Sequence, residues 1–424
     1  MRISRVEPSE FLSIVAALGA VQTDRKRGFL PSATLGAVDF ELTPELRELQ
    51  STVRRMAQER VRPIAQELDE KEEYPEHLFR LFADTGLMGL GLPEEYGGSG
   101  AGTIGLVLAI EEVAKYCQAS ALMLLLSRLP TAPILVAGSE EQKQEWVPGV
   151  AEGRIRGAFA LSEVDAGSWV AGQTSRAARE GDGYRINARK VWMSGATVAD
   201  FYTVFAKTDP QGGNRGFSSF IVPRSAEGVS IGTIDRKMGV KAVPTAEVIF
   251  DDVWVPEANR IGEEGTGFRT AMLALNSMRP IVAARGIGLA EGALMYAVEY
   301  DKQRRAFDQV IADFQGIRWM YAELAVEIEA ARLLTYRAAA LVDEGKYTKE
   351  WAPYLSMAKY FATELAVKAS GWAVQLLGAA GYMKDHITEL YYRDARQLTI
   401  VEGTSQIQKN LIGQGVVDHD VWWD

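Results

Sequence analysis

The hydrophobic pattern of this chain changes period twice, and those two switches constrain its fold more than any single motif. From Thr43 the apolar residues recur at helical spacing. Thr43, Pro44 and Glu45 read as an N-cap, a proline at the first helical position and an acidic first turn; Leu46, Leu49, Val53 and Met56 follow as one stripe. A second helix is expected over residues 76–84, and long apolar helical text runs over residues 103–136. Between them, the glycine-rich residues 92–100 read as a loop. At about Gly157 the text turns to short β-rich runs at 159–161, 184–186, 201–206, 217–222 and 246–250. Gly, Asp, Asn and Pro clusters separate them, the pattern of antiparallel strands in a small barrel or sandwich. At Gly267 the helical period returns, with helices expected near 268–300, 312–342, 354–377 and 406–413. Wide apolar faces such as Leu324, Ile328, Ala331 and Leu334 suit a bundle. The expected division is an N-terminal extension at 1–39, a helical domain at 40–156, a β domain at 157–266 and a helical bundle at 267–424.

Composition narrows the function. The chain has 424 residues, 47% of them hydrophobic, with no run of eighteen apolar residues to read as a membrane span. Forty-six basic against fifty-six acidic residues give a net charge of −10, the wrong sign for a general nucleic-acid binder. The single Cys117 excludes an intramolecular disulfide and a thiolate zinc cluster, and His77, His386 and His419 have no metal-ligand spacing. There is no G-x-S-x-G elbow and no Walker loop. A G-x-G-x-x-G at Gly100, Gly102 and Gly105 follows a loop rather than a strand, and reads better as a loop entering a helix. Carboxylate or organic-cofactor chemistry is what remains. Near the start, residues 11–21 form a short apolar run behind Arg2 and Arg5. Glu7, Glu10 and Asp24 interrupt the positive flanks, so a helical arm on a cytoplasmic protein is preferred over a targeting segment.

Several segments carry possible chemistry, each with a plainer reading beside it. Glu402-Gly403-Thr404-Ser405-Gln406 places a carboxylate ahead of a new helix; in a dry site it would serve as a general base, otherwise it is a helix cap. Residues 159–168 run from a strand into a turn whose N–H groups and hydroxyls suit an anion. Lys190-Val191-Trp192-Met193-Ser194-Gly195 ends another strand with an indole and a hydroxyl. An aromatic face with polar donors suits a flat redox-active ring, while a hairpin with a packed Trp is the commoner case. Arg304-Arg305-Ala306-Phe307 and the glycines of 375–381 suit a pyrophosphate, or are a solvated charge and a helix stop.

Taken jointly and in order, these segments, with Pro93-Glu94-Glu95-Tyr96-Gly97-Gly98 and Arg279-Pro280, resemble the acyl-CoA dehydrogenase family over residues 40–416. The resemblance implies an α+β fold of N-terminal helical domain, middle antiparallel β domain and C-terminal four-helix bundle, binding FAD as a homotetramer. It implies that Phe159, Leu161, Ser162, Trp192, Met193 and Ser194 meet the flavin ring, and that Gly167 and Ser168 form the turn serving cofactor and thioester. Arg304, Phe307, Phe314, Gln315, Gln375, Leu376, Gly378 and Ala379 match positions that reach a neighbouring subunit's FAD, and Thr404 and Gln406 match further FAD contacts. Ser168, Asn276, Arg279 and Gly403 would surround the substrate. Glu402 matches the base, and Met278 occupies the position from which one branch of the family supplies it instead.

The implied reaction removes the α-proton of an acyl-CoA to Glu402 and the β-hydride to flavin N5, giving the 2,3-enoyl-CoA. The Glu402 N–H would help hold the thioester oxygen. Electrons would pass to an electron-transfer flavoprotein. The alternatives are an oxidase or a monooxygenase on the same fold, and a non-enzymatic acyl-CoA binder; Glu402 speaks against the monooxygenase, and Glu402 with Trp192 against the binder. Trp169, Gly195, Asn276, Asp308, Ala379, Ala380 and Val401 depart from the family pattern. They point to a specialised acyl group, branched, cyclic or biosynthetic, with Trp169 altering pocket volume or CoA access.

Overall fold

The computed structural model describes residues 41–418 and Val421; the proposed N-terminal arm and His419 lie outside the described residues. Helix α1 (Pro44–Met56) starts as expected: the Thr43 hydroxyl accepts from the Leu46 N–H at 3.4 Å, and Leu49, Val53 and Met56 are buried. Helix α2 (Ala65–Lys71) follows, then α3 (Glu76–Asp84), which buries Leu78, Phe79 and Phe82. The helical text over 103–136 forms three helices, α4 (Gly102–Ala114), α5 (Gln118–Arg128) and α6 (Ala132–Ala137). An extended Cys117 caps α5, and Pro130 separates α5 from α6, because proline lacks the N–H a continuing helix needs; Pro133 stands in the first turn of α6, where that N–H is not needed. The G-x-G-x-x-G segment does enter a helix. Its N-terminus is already occupied: Asp343 accepts from the Thr103 and Ile104 N–H groups at 2.6 and 3.2 Å. Helix α7 (Glu140–Ala151) opens with a capping box between Ser139 and Gln142.

The middle region is one eight-stranded sheet: β1 (Gly157–Ala160), β2 (Arg176–Glu180), β3 (Gly183–Ser194), β4 (Phe201–Lys207), β5 (Phe217–Pro223), β6 (Val229–Ile234), β7 (Thr245–Pro256) and β8 (Arg260–Ile261). Its order is β6-β7-β3-β2-β4-β5-β8, with β1 beside β4. The sheet is mixed rather than wholly antiparallel, because β1 runs parallel to β4 and β2 touches β4 in parallel at one position. The intervening β2–β3 hairpin supplies the crossover that a parallel pair requires. Strands β2, β6 and β8 escape a sequence reading: two are largely charged or half-exposed, and the third is two residues long.

Helix α8 (Gly267–Asp301) opens the second helical region and is its spine. After it come a short hairpin, β9 (Arg305–Ala306) with β10 (Gln309–Val310), then α9 (Gln315–Asp343), α10 (Ala352–Leu377), α11 (Ala379–Tyr382), α12 (Thr388–Leu398) and α13 (Ser405–Val417). Sequence reading missed α12, whose stripe of Leu390, Tyr391, Ala395 and Leu398 is masked by Glu389, Arg393, Asp394 and Arg396. One core runs from α1, α3, α4 and α5 into α8, α10 and α12; another fills the sheet. Leu161, Phe205 and Ala271 join sheet to α8. The stretches Gln118–Ala137 and Gly267–Asp301 are apolar and long enough to cross a membrane, but 78% and 72% of their most apolar windows are buried inside the protein. They are core helices here.

Candidate active site

Two of the singled-out segments meet where β3 passes the loop after β1. Lys190, on β3, has no exposed surface. Its Nζ donates to the Leu161 carbonyl (3.1 Å), Glu163 (2.9 Å) and Gln173 Oε1 (2.9 Å), tying β3 to the loop after β1. The Val191 N–H adds a bond to the Ser162 carbonyl at 3.0 Å. Glu163 also accepts from Thr174 and Ser175. Burial works against its ionisation, but Lys190 and those donors outweigh it and hold the carboxyl at about 2. One residue on, the register of β3 against β7 slips between Lys190 and Met193. That bulge turns Trp192 outward at φ 56° with 56% of its surface exposed, while Met193 points into the sheet core. A Cβ on Gly167 would meet the Trp192 ring at 4.0 Å, so the Gly167-Ser168 turn lies directly beside the indole. Trp169, the residue after that turn, is 71% exposed and folds over Gly172.

Glu402 lies between α12 and α13, and its backbone is unusual. Glu402 and Gly403 both take left-handed conformations, φ 52° and 92°. Three side-chain hydrogen bonds hold the turn: Lys359 Nζ to the Gly403 carbonyl (2.9 Å), and Gln408 Nε2 to the Gly403 and Glu402 carbonyls (3.0 and 3.3 Å). A Cβ at residue 403 would fall 2.7 Å from Gln408 Nε2, so glycine is required there. With both carbonyls turned onto α10 and α13, the Glu402 N–H has no partner among the described residues, and its buried Oε2 has none either. Burial pushes the Glu402 carboxyl up to about 7, against the opposing pull of Arg285 and then Lys359. Thr404 caps α13 by accepting from the Ile407 N–H at 3.3 Å, while Gln406 is exposed on that helix.

The remaining predicted residues fall into three groups. Asn276 and Arg279 are buried on α8, donating to the Tyr347 and Ala352 carbonyls at 2.8 and 3.1 Å; Arg279 Nε is left unpartnered. Arg304, Phe307, Phe314 and Gln315 gather around the β9–β10 hairpin. Phe307 and Asp308 form its two-residue loop at φ 50° and 61°, and the Phe307 ring, 89% exposed, meets Phe314 edge-on at 6.3 Å. Gln375, Gly378 and Ala379 are exposed at the α10–α11 junction, with Leu376 buried behind them. Among the described residues, neither of these exposed sets shares a hydrogen bond or ring contact with Trp192 or Glu402. Sequence reasoning did not name Lys359 or Arg285, and it gave no role to Glu163 or Gln408 within the segments it singled out. The available signal was a lone charge inside apolar helical text, as at Lys359 and Arg285.

Comparison with known proteins decides the family. The chain matches the acyl-CoA dehydrogenase N-terminal domain over residues 43–154, the middle domain over 158–253 and the C-terminal domain over 265–417. The chain belongs to the acyl-CoA dehydrogenase family. A probable acyl-CoA dehydrogenase of Mycobacterium tuberculosis, FadE25, is 38% identical over 378 residues, 89% of this chain and 97% of that protein. Butyryl-CoA dehydrogenase from Megasphaera elsdenii superposes with TM-score 0.86 at 36% identity, covering 90% of this chain and all of the other. Glutaryl-CoA dehydrogenase in complex with glutaryl-CoA superposes with TM-score 0.86 at 37% identity, covering 90% and 97%. Acyl-CoA dehydrogenases are FAD-dependent oxidoreductases, and this one is an enzyme of that class acting on acyl-CoA. The residues present fit FAD. An outward-turned Trp192 beside the Gly167-Ser168 turn offers a face for a planar ring, and Gly378 has open space where a Cβ would stand. Buried Gln408 Oε1 and Glu402 Oε2 lack a partner among the described residues.

Proposed function

We propose that Glu402 takes the α-proton of an acyl-CoA thioester while the β-hydrogen leaves as hydride, giving the 2,3-enoyl-CoA. FAD, when bound, supplies the acceptor for that hydride. The observation that carries the reading is the Glu402–Gly403 turn, which offers a free N–H and a buried, unpartnered carboxylate oxygen from one residue. The N–H is a ready donor to the thioester oxygen, whose negative charge grows as the α-proton leaves. A carboxyl held near 7 is a stronger base than an ordinary glutamate and is mostly ionised above that pH.

Phe159, Leu161, Ser162, Trp192, Met193 and Ser194 line the flavin ring in this reading, with Met193 acting from behind as packing. Gly167, Ser168, Thr404 and Gln406 hold the rest of that cofactor, and Asn276, Arg279 and Gly403 flank the thioester. Arg304, Phe307, Phe314, Gln315, Gln375, Leu376, Gly378 and Ala379 serve a neighbouring subunit's FAD in a cytoplasmic homotetramer. The exposed stripe Trp319, Val326 and Leu333 on α9 supports such an interface. Domain limits at 40–156, 157–266 and 267–424 follow the same reading. Electrons pass on to an electron-transfer flavoprotein, which a relative from Acetobacterium woodii supports by its name, the CarC subunit of a caffeyl-CoA reductase–Etf complex. Relatives of near-equal similarity are named for butyryl-CoA and glutaryl-CoA, so the specialised acyl group has to be read from the pocket itself.

Three measurements bear on this reading. Only the carboxylate form of Glu402 accepts a proton, so kcat/KM should climb about tenfold per pH unit below about 7 and level above it. A profile flat through that region would contradict the assignment. Lys359→Met unhooks the Gly403 carbonyl and removes a cation that lowers the Glu402 pKa. The expected result is a kcat roughly 100-fold lower with the acid limb moved to higher pH. An unmoved limb with full kcat would remove Lys359 from any positioning role. Sedimentation of the holoenzyme should give a tetramer; a monomer would count against the intersubunit residues.

A further inference from the structure

Arg285 takes no part in the reaction above, yet it shares the buried space of the base. It sits on α8 with no exposed surface and forms no salt bridge among the described residues. Its Nη2 donates to neutral Gln397 Oε1 at 2.9 Å, while Nε and Nη1 are buried without an acceptor. The charged groups that act on it most are Glu402 and then Asp394, and Asp394 Oδ1 is engaged by the Val240 N–H at 2.6 Å. On the facing helix, Gln118 Nε2 donates to the Arg285 carbonyl at 3.1 Å, fixing that point of α8 against the start of α5. Leu122 and Leu125 of α5 and Met278 and Val282 of α8 belong to the same apolar core. Arg285 is therefore a cation without water and without a paired carboxylate among the described residues, with two of its donors unused.

A buried, unpaired guanidinium is costly, and proteins normally keep one only with an anion to meet it. A direct pair with Glu402 would relieve the cost by consuming the base, and no such bond forms. The acceptor that suits the free donors must come with the ligand. We propose that the acyl group oxidised here is short and ends in a carboxylate, and that Arg285 receives that carboxylate at the end of the chain remote from the thioester. This rests on the dehydrogenase reading and names its substrate class. A planar guanidinium suits carboxylate recognition, and a site built around it discriminates strongly against chains lacking the charge.

The test compares short straight-chain acyl-CoAs ending in methyl with the same chains ending in carboxylate, using anaerobic bleaching of the holoenzyme's flavin. The expected preference for the carboxylate in kcat/KM is about 100-fold. It should vanish or reverse in Arg285→Met and survive in part in Arg285→Lys; a ratio within each variant cancels any change in the base. Binding to the Glu402→Gln holoenzyme, followed by flavin absorbance, should show the same preference without turnover. Equal rates for both chain types in the wild type, or a preference unchanged in Arg285→Met, would overturn the inference. No bleaching by any thioester, with selective binding of the carboxylate series retained, would instead overturn the dehydrogenase reading and leave Arg285 standing.

Discussion

Glutamine in place of Glu402 should leave an enzyme that binds FAD and acyl-CoA but reduces its flavin about 10³–10⁴-fold more slowly. The amide keeps the shape of the side chain and the backbone N–H of the turn, and loses only the capacity to take a proton. Stability should change in a direction that a merely structural glutamate would not produce. A carboxyl raised to about 7 contributes most to stability below its unfolded value, and loses that contribution as pH rises through 7. Above pH 7 the wild type carries a buried charge that the variant lacks. Glu402→Gln should therefore melt higher than the wild type in alkaline buffer and gain nothing in acid. Substantial flavin reduction by the variant would displace Glu402 as the base.

Lys190→Met is expected to cost about 3–5 kcal/mol, because it strands the Glu163 carboxylate inside the protein and removes three hydrogen bonds that hold the loop carrying Leu161 and Ser162. Melting temperature and the visible absorbance retained after desalting report the two consequences, lower stability and weaker FAD retention. The pH dependence has a definite sign. Glu163 is held at about 2, so its contribution is present above the unfolded value and lost as pH falls through 2. The gap between wild type and variant should narrow over that acid range. Adding Glu163→Gln to the variant should restore part of the stability, since no unpaired charge remains. Unchanged melting and full FAD retention in Lys190→Met would show that the loop is held by something else.

How much of this was legible in the sequence depends on whether the relevant forces are local. Helix α3 ends where its apolar stripe ends, and α8 fills the whole stretch over which the period of 3.6 persists. The division of 103–136 into three helices was missed because apolar residues continue across the breaks, and only Cys117, Pro130 and Pro133 mark them. Strand β1 lies parallel to β4 for a reason no local pattern contains, namely the hairpin inserted between them. The site divides in the same way. Trp192 and Glu402 stand in recognisable motifs, but their local surroundings allow a packed tryptophan and a helix cap. What distinguishes them is a bulge against β7, a lysine from α10 and a glutamine from α13, all assembled only in three dimensions. Arg285 is one arginine in helical text until the fold buries it with two of its donors unpartnered.

The central claim, dehydrogenation of an acyl-CoA with Glu402 as base, is tested most directly by anaerobic titration of the purified holoenzyme with acyl-CoA thioesters. Flavin absorbance and the CoA product are followed together. The account predicts rapid bleaching by at least one thioester, with one equivalent of 2,3-enoyl-CoA formed per flavin reduced. A flavin spectrum that no thioester bleaches, or a protein that takes up no FAD when it is supplied, would contradict it.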